Sequence, residues 1–259
     1  MSAASPADRI AAAFSGNGKS AALMPYLMGG FPDPDTSLAA GIAAAAAGAD
    51  VIELGIPFSD PLADGPTIHA AATAALDAGV TPGDVLRVCE SLSERLPVVL
   101  MVYANLALHE TFVDRALAAG ASGLIVPDLP HDEAGELRAA CDERGLALVP
   151  LAAPTTTPDR LAAIGADARG FVYTVSLTGT TGERAELPPG LADTVARVRE
   201  AASVPVAVGF GISTPDHARA VAEVADGVIV GSRVVRASGE GGADAVGELV
   251  AELAAALAP

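Results

Sequence analysis

The hydrophobic positions of this chain fall into short apolar runs separated by longer stretches of helical spacing. LMPYLMG from Leu23, VIELGIP from Val51, PVVLMVY from Pro97, GLIVPD from Gly123, LALVPLA from Leu146, GFVYTVS from Gly170, PVAVGFG from Pro205 and GVIVGS from Gly227 are dominated by aliphatic residues. Runs that are apolar at successive positions, rather than at alternate ones, predict strands buried on both faces, as in a parallel sheet covered by helices. Each intervening helical stretch closes on a small-residue break: AAAGAD before Val51, LAAGAS before Gly123, DERG before Leu146, AIGADA before Gly170, EVADG before Val228. Helix starts carry capping or first-turn residues at Pro34-Asp35, Thr81-Pro82, Asp132-Glu133, Thr157-Pro158-Asp159 and Ser213-Thr214-Pro215. Eight strands, each followed by helical sequence, predict a (β/α)8 barrel rather than an open doubly wound sheet. Pro6 to Phe14 reads as an extra amphipathic helix closing the barrel bottom, and Val234-Val235-Arg236 as a short helix after the eighth strand. No linker or low-complexity segment interrupts the series, so residues 1–259 are expected to form one domain.

Composition narrows the picture. The apolar fraction is 51% but aromatics are only 3%, so the core must be built from Ala, Val, Leu and Ile. No apolar run reaches the roughly 20 residues of a membrane span, and the start lacks a basic stretch ahead of an apolar one; a cytoplasmic protein is expected. Cys89 and Cys141 lie in helical patterns without metal-ligand spacing and read as small buried thiols of a reducing compartment. A net charge of −17 argues against nucleic acid and anionic membranes as partners. It leaves room for a small phosphorylated substrate, because backbone N–H groups alone can hold phosphate.

Barrels of this class carry their chemistry at the C-terminal ends of the strands. Lys19, the only lysine, lies before the first strand, which removes Schiff-base chemistry. The histidines, His69, His109, His131 and His217, sit near helix starts and converge on no metal-ligand pattern. Gly209-Phe210-Gly211 lacks the third glycine of a dinucleotide fingerprint. Carboxylates remain. Glu53 lies inside an apolar strand, where an ionised side chain is costly unless it is paired in a polar layer, with Tyr173 as a neighbour, or used. The loop after it, Phe58 to Gly65, adds Asp60 and Asp64, and Asp128 closes the fourth strand. Several acids at one barrel mouth suit acid–base work.

A second constellation concerns phosphate. Strand seven ends in Gly209-Phe210-Gly211-Ile212-Ser213 and strand eight in Gly231-Ser232-Arg233. These are either ordinary turn glycines or the phosphate-binding loops that such barrels place after their last two strands. Thr178 to Arg184, rich in Gly and Thr, reads as a lid that closes over the site.

The run Glu53-Leu54-Gly55-Ile56-Pro57-Phe58-Ser59-Asp60-Pro61-Leu62-Ala63-Asp64-Gly65 resembles the signature of the tryptophan synthase α family position for position. Met101-Val102-Tyr103-Ala104-Asn105, Tyr173 through Gly182, Gly209 to Ser213 and Gly231-Ser232 resemble further segments of that family, so the likeness spans nearly the whole chain. Leu177, where some members carry a basic residue, and Met28-Gly29 depart from the commoner pattern. The resemblance implies retro-aldol cleavage of indole-3-glycerol phosphate to indole and D-glyceraldehyde 3-phosphate, late in tryptophan biosynthesis. It implies Glu53 as general acid and Asp64 as the carboxylate that accepts the indole N–H, held respectively by Tyr173 and Thr181. Tyr26, Leu100, Met101 and Phe210 would line the indole slot, and Gly182, Gly211, Gly231 and Ser232 would give N–H groups to phosphate. The family also implies a β subunit in an α2β2 assembly, facing Pro57, Asp60, Asn105 and Pro130. Pyridoxal phosphate (PLP) is expected on that partner only; the chain itself is expected to hold no cofactor and no metal. The alternative kept open is a stand-alone indole-3-glycerol-phosphate lyase.

Overall fold

The computed structural model describes residues 4–62, 64–175, 189–209 and 211–259. Helix α1 (Pro6–Ser15) precedes strand β1 (Ala22–Met28), followed by α2 (Pro34–Ala46), β2 (Ile52–Gly55), α3 (Pro66–Asp77), α4 (Pro82–Ser93) and β3 (Val98–Met101). Then come α5 (Ala104–Ala107), α6 (Phe112–Ala118), β4 (Gly123–Ile125), a 3-10 turn (His131–Glu133), α7 (Gly135–Glu143), β5 (Ala147–Val149), β6 (Leu151–Ala152) and α8 (Pro158–Asp167). The described remainder is β7 (Val172–Val175), α9 (Leu191–Ala201), β8 (Val206–Gly209), α10 (Pro215–Ala222), β9 (Gly227–Val230) and α11 (Ser232–Ala256).

All strand pairings are parallel, in the order β5-β4-β3-β2-β1-β9-β8-β7-β6. The two ends of that order, β5 and β6, are separated in sequence only by Pro150. Proline has no N–H to donate, so the ladder breaks there, while the Pro150 carbonyl still accepts the Tyr173 N–H at 2.9 Å. The predicted strand LALVPLA is thus two halves that close the sheet into a (β/α)8 barrel. One proline turns eight predicted strands into nine segments. The expected short helix after the last strand is also found, as residues 232–241. Gly242, at φ 59 and ψ −139, separates it from the terminal helix, and α11 packs chiefly against α2.

The twofold period of the strands sorts the core into two sides. Leu23, Leu27, Leu54, Leu100, Leu124, Val208 and Val228 face the surrounding helices. Met24, Val51, Val99, Ile125, Val149, Phe171, Tyr173, Ala207 and Ile229 fill the barrel. Ile10 of α1, fully buried, joins this inner set from below. Gly170 leaves room for its side chain: a Cβ there would stand 3.2 Å from Ile10 Cδ1. The helix is anchored by its Ser5–Asp8 capping box and by the Ala7 N–H to the Gly145 carbonyl. Shaving one methylene from this plug, Ile10→Val, is expected to cost about 0.5–1.5 kcal/mol, read as a lower urea midpoint; an unchanged midpoint would remove α1 from the core.

The small-residue breaks are helix stops, with Gly120 (φ 74) and Gly145 (φ 68) supplying the left-handed residue after α6 and α7. Thr81 with Asp84 forms a second capping box on α4, and Asp33 and Thr214 cap α2 and α10. Lys19 is committed to structure at the barrel bottom. Its Nζ lies 2.8 Å from both Asp50 and the Gly48 carbonyl, and Asp50 in turn accepts the Leu23 N–H at 2.7 Å. Among the described residues no helix is long and apolar enough to cross a membrane.

Candidate active site

Glu53 is the inward residue of β2, in register with Tyr26 of β1 and Val99 of β3. It is 1% exposed, and among the described residues neither carboxyl oxygen has a hydrogen-bond partner. Burial, assisted by the nearby charge of Asp64, pushes its pKa up to about 8. An acid in that range holds its proton at neutral pH and can deliver it. A buried carboxyl without a partner is costly for the fold, which marks it as a group kept for chemistry.

Asp64 occupies a different setting, half-buried in the loop between β2 and α3, beside the helix N-cap Gly65. Burial raises its pKa; a hydrogen bond donated by the Tyr103 side chain and the positive field of His69 pull it down. The Tyr103 ring stacks on Phe58 of the same loop, with centroids 4.7 Å apart. Burial therefore raises both carboxyls, and only at Asp64 do a hydrogen bond and a positive neighbour oppose the rise, two settings that suit two different roles.

Two glycines make room around them. A Cβ on Gly55 would stand 2.0 Å from the Tyr26 hydroxyl, and one on Gly209 would stand 2.2 Å from the Tyr173 hydroxyl. Both tyrosines are buried, with burial and the Glu53 and Asp64 charges raising their pKa well above the ordinary value. The hydroxyl of Tyr173 sits against Gly209, and Glu53 accepts no hydrogen bond from it. The implied Tyr173–Glu53 bond is accordingly absent.

Met101 packs with both the barrel interior and the cluster around Tyr26 and Ile68, at the mouth. Leu100 does not belong there. It pairs with Leu54 and Leu124 and lies with them on the helix-facing side, opposite to Glu53 and Val99. The strand alternation excludes it from any slot inside the barrel. Gly211, at φ 83, follows β8; Gly231 adjoins Tyr26 and Ile68; buried Ser232 opens α11. Thr181, Gly182, Phe210 and the lid segment Thr178 to Arg184, with Leu177, lie outside the described residues.

Of the positions expected to face a partner, Pro57 is half-buried, while Asp60, Asn105 and Pro130 are exposed. Sequence reading passed over their apolar neighbours Leu62 and Leu108, which are 83% and 53% exposed. Tyr103 and His69, visible in the sequence but given no part in the site there, both act on Asp64. The histidines lie at helix starts as expected, with His69 and His217 in the first turns of α3 and α10 and His131 opening the 3-10 turn. Cys89 and Cys141 are buried, and burial pushes each thiol up to about 12. Among the described residues no group of three His, Cys, Asp or Glu side chains could hold a metal ion.

A closed (β/α)8 barrel with a buried carboxyl inside it and a second carboxyl at its mouth suits acid–base chemistry. The family model described as tryptophan synthase alpha chain matches residues 13–256, and the chain belongs to that family of lyases, which cleave indole-3-glycerol phosphate in tryptophan biosynthesis. The tryptophan synthase alpha chain of Synechococcus elongatus is 47% identical over 242 residues, covering 91% of each chain. A chain of Mycobacterium tuberculosis tryptophan synthase superposes with a TM-score of 0.90 at 41% identity, covering 97% of this chain and 98% of that one. A chain from the tryptophan synthase α2β2 complex of Pyrococcus furiosus gives 0.83 at 38% identity, covering 91% and 98%.

Proposed function

We propose that the chain cleaves indole-3-glycerol phosphate by proton transfer through Glu53, with Asp64 as electrostatic partner. Glu53 gives its proton to C3 of the indole ring. It recovers one from the hydroxyl on the glycerol carbon bonded to that ring. As this carbon–carbon bond breaks, its electrons return to the ring and the hydroxyl carbon becomes the aldehyde of glyceraldehyde 3-phosphate. Glu53 ends as it began, protonated. Asp64 accepts the indole N–H and stabilises the cationic ring formed by protonation. Tyr26, Met101, Tyr173 and Phe210 border the ring. Gly182, Gly211, Gly231 and Ser232 hold the phosphate through N–H groups, a role suited, for the last two, to the start of a helix. Thr181 holds Asp64.

The single observation that carries this reading is Glu53, buried, unpartnered and pushed up to about 8 inside the barrel. The rest of the reading follows the family. Residues 1–259 act as one cytoplasmic domain in an α2β2 assembly with a β subunit that carries PLP. Pro57, Asp60, Asn105 and Pro130, with exposed Leu62 and Leu108, meet that partner. The test is release of indole from indole-3-glycerol phosphate with and without a β subunit. Slow release that rises strongly with β is expected. Fast release indifferent to β would make the chain a stand-alone lyase, and no release from folded protein would overturn the catalytic reading.

A further inference from the structure

Asp128 stands where the chain leaves β4, and in sequence it is one more acid at the barrel mouth. The structure occupies it otherwise. Its Oδ1 accepts the Ala104 N–H at 2.8 Å, across a gap of 24 residues. Ala104 opens α5, a helix of four residues whose N-cap, Tyr103, has extended backbone and no side-chain cap of its own. The first N–H groups of a helix lack intrahelical partners, so a carboxylate from the neighbouring loop supplies the missing cap. Tyr103, one residue earlier, turns the other way: its ring stacks on Phe58, in the loop that carries Asp64, and its side chain opposes the rise of the Asp64 pKa. Asp128, Ala104 and Tyr103 thus link the loop after β4, through Phe58, to the loop that carries Asp64.

We propose that Asp128 is a positioning residue: by fastening the start of α5 it fixes Tyr103, and through Tyr103 it sets the orientation of the Asp64 carboxylate. The importance of this for catalysis rests on Asp64 being the carboxylate that holds the indole N–H. The same bond lies between surfaces proposed to meet the β subunit, since α5 carries Asn105, Leu108 follows it, and Pro130 is two residues beyond Asp128. A partner covering this bond strengthens it by removing water, so docking tightens the hold on Asp64.

The consequence for pH has a definite sign. The groups that face Asp64 are Tyr103 at the start of α5, His69 of α3 and Glu53 of β2, with Tyr26 of β1 and Tyr173 of β7 also within its field. Burial raises Asp64 and the Tyr103 hydrogen bond opposes that rise. Freeing Tyr103 leaves burial less opposed, so Asp64 ionises at higher pH and the acid limb of kcat/KM moves upward.

The decisive experiment is a carboxyl-carbon NMR titration of Asp64, which needs no turnover, run beside the pH profile of indole release. Wild type, Asp128→Ala, Asp128→Asn, Tyr103→Phe and the Asp128→Ala/Tyr103→Phe double variant are compared. Tyr103→Phe is expected to raise the Asp64 midpoint and lower kcat/KM on the acid limb about three- to tenfold. Asp128→Ala should move both in the same direction. Asp128→Asn, whose amide oxygen still accepts the Ala104 N–H, should stay near wild type, and the double variant should go no further than Tyr103→Phe alone. An Asp64 midpoint unmoved by Asp128→Ala, or additive shifts in the double variant, would overturn the proposal. A wild type that releases no indole would instead sink the lyase reading, while the NMR midpoints still decide the role of Asp128.

Discussion

Glu53→Gln is expected to lower kcat for indole release by about 10²- to 10⁴-fold, the usual range for a general acid, while inhibition by glycerol 3-phosphate stays within a few-fold of wild type. In the proposed reading the two readouts separate, because Glu53 would touch the reacting carbon while the turns around Gly211 and Gly231 would hold the phosphate. Glutamine keeps the shape and polarity of the side chain but has no proton to deliver to C3. The pH profile carries the same argument. As the proposed general acid Glu53 would work protonated, and burial pushes its pKa up to about 8. Wild-type kcat/KM should therefore fall as pH rises through about 8, and that limb should be missing from whatever activity the glutamine variant retains. A variant that kept most of its kcat would transfer the proton step to another group. Asp64 would be the first candidate.

Which parts of this site are legible in the sequence follows from the range of the forces involved. The strands are legible because a strand covered on both faces must be apolar at every position, and the helices because their stops are local. Lys19 could be removed from the chemistry by its place before β1, and the structure shows what it does instead. Glu53 is legible because an acid in an apolar strand is an exception to a strong rule. Pro150 is a different case: a proline inside a predicted strand was visible, but the break it makes in the ladder depends on pairing with β7. Leu100 fails for a related reason. The apolar run around it has no alternation of its own, so only the pairing with Leu54 and Leu124 tells which face it takes. Tyr103 and Asp128 stand in successive strand-end loops, and their connection to Asp64 crosses between loops far apart in sequence. No local pattern encodes such a contact. Tyr173 marks the limit of carrying a role across by likeness: its hydroxyl is drawn to the space left by Gly209, a residue on a neighbouring strand.

Glu53→Leu is expected to make the protein more stable, and increasingly so as pH rises. The sign follows from the raised pKa. In the unfolded chain Glu53 loses its proton near 4.5, whereas in the fold it keeps it to about 8. The contribution of the group to stability is therefore fully present below 4.5 and is lost as pH climbs towards 8. At pH 7 the accumulated loss is of the order of 3 kcal/mol. Leucine does not titrate, and it replaces an unpartnered carboxyl with apolar surface on the inward face of β2, in register with Tyr26 and Val99. Urea unfolding at several pH values from 5 to 8 reads this directly, because the remaining carboxylates titrate in both proteins and cancel in the difference. The stability gap between leucine variant and wild type should widen steadily across that range. Glutamine, which removes the titration but keeps a buried amide, should fall between the two. A gap independent of pH would mean that Glu53 is ionised in the folded protein, and would remove the protonated acid on which the catalytic step depends. The residue whose loss abolishes turnover is then the one whose loss strengthens the fold, because the same dry surroundings that hold its proton for C3 make its carboxyl a burden to the barrel.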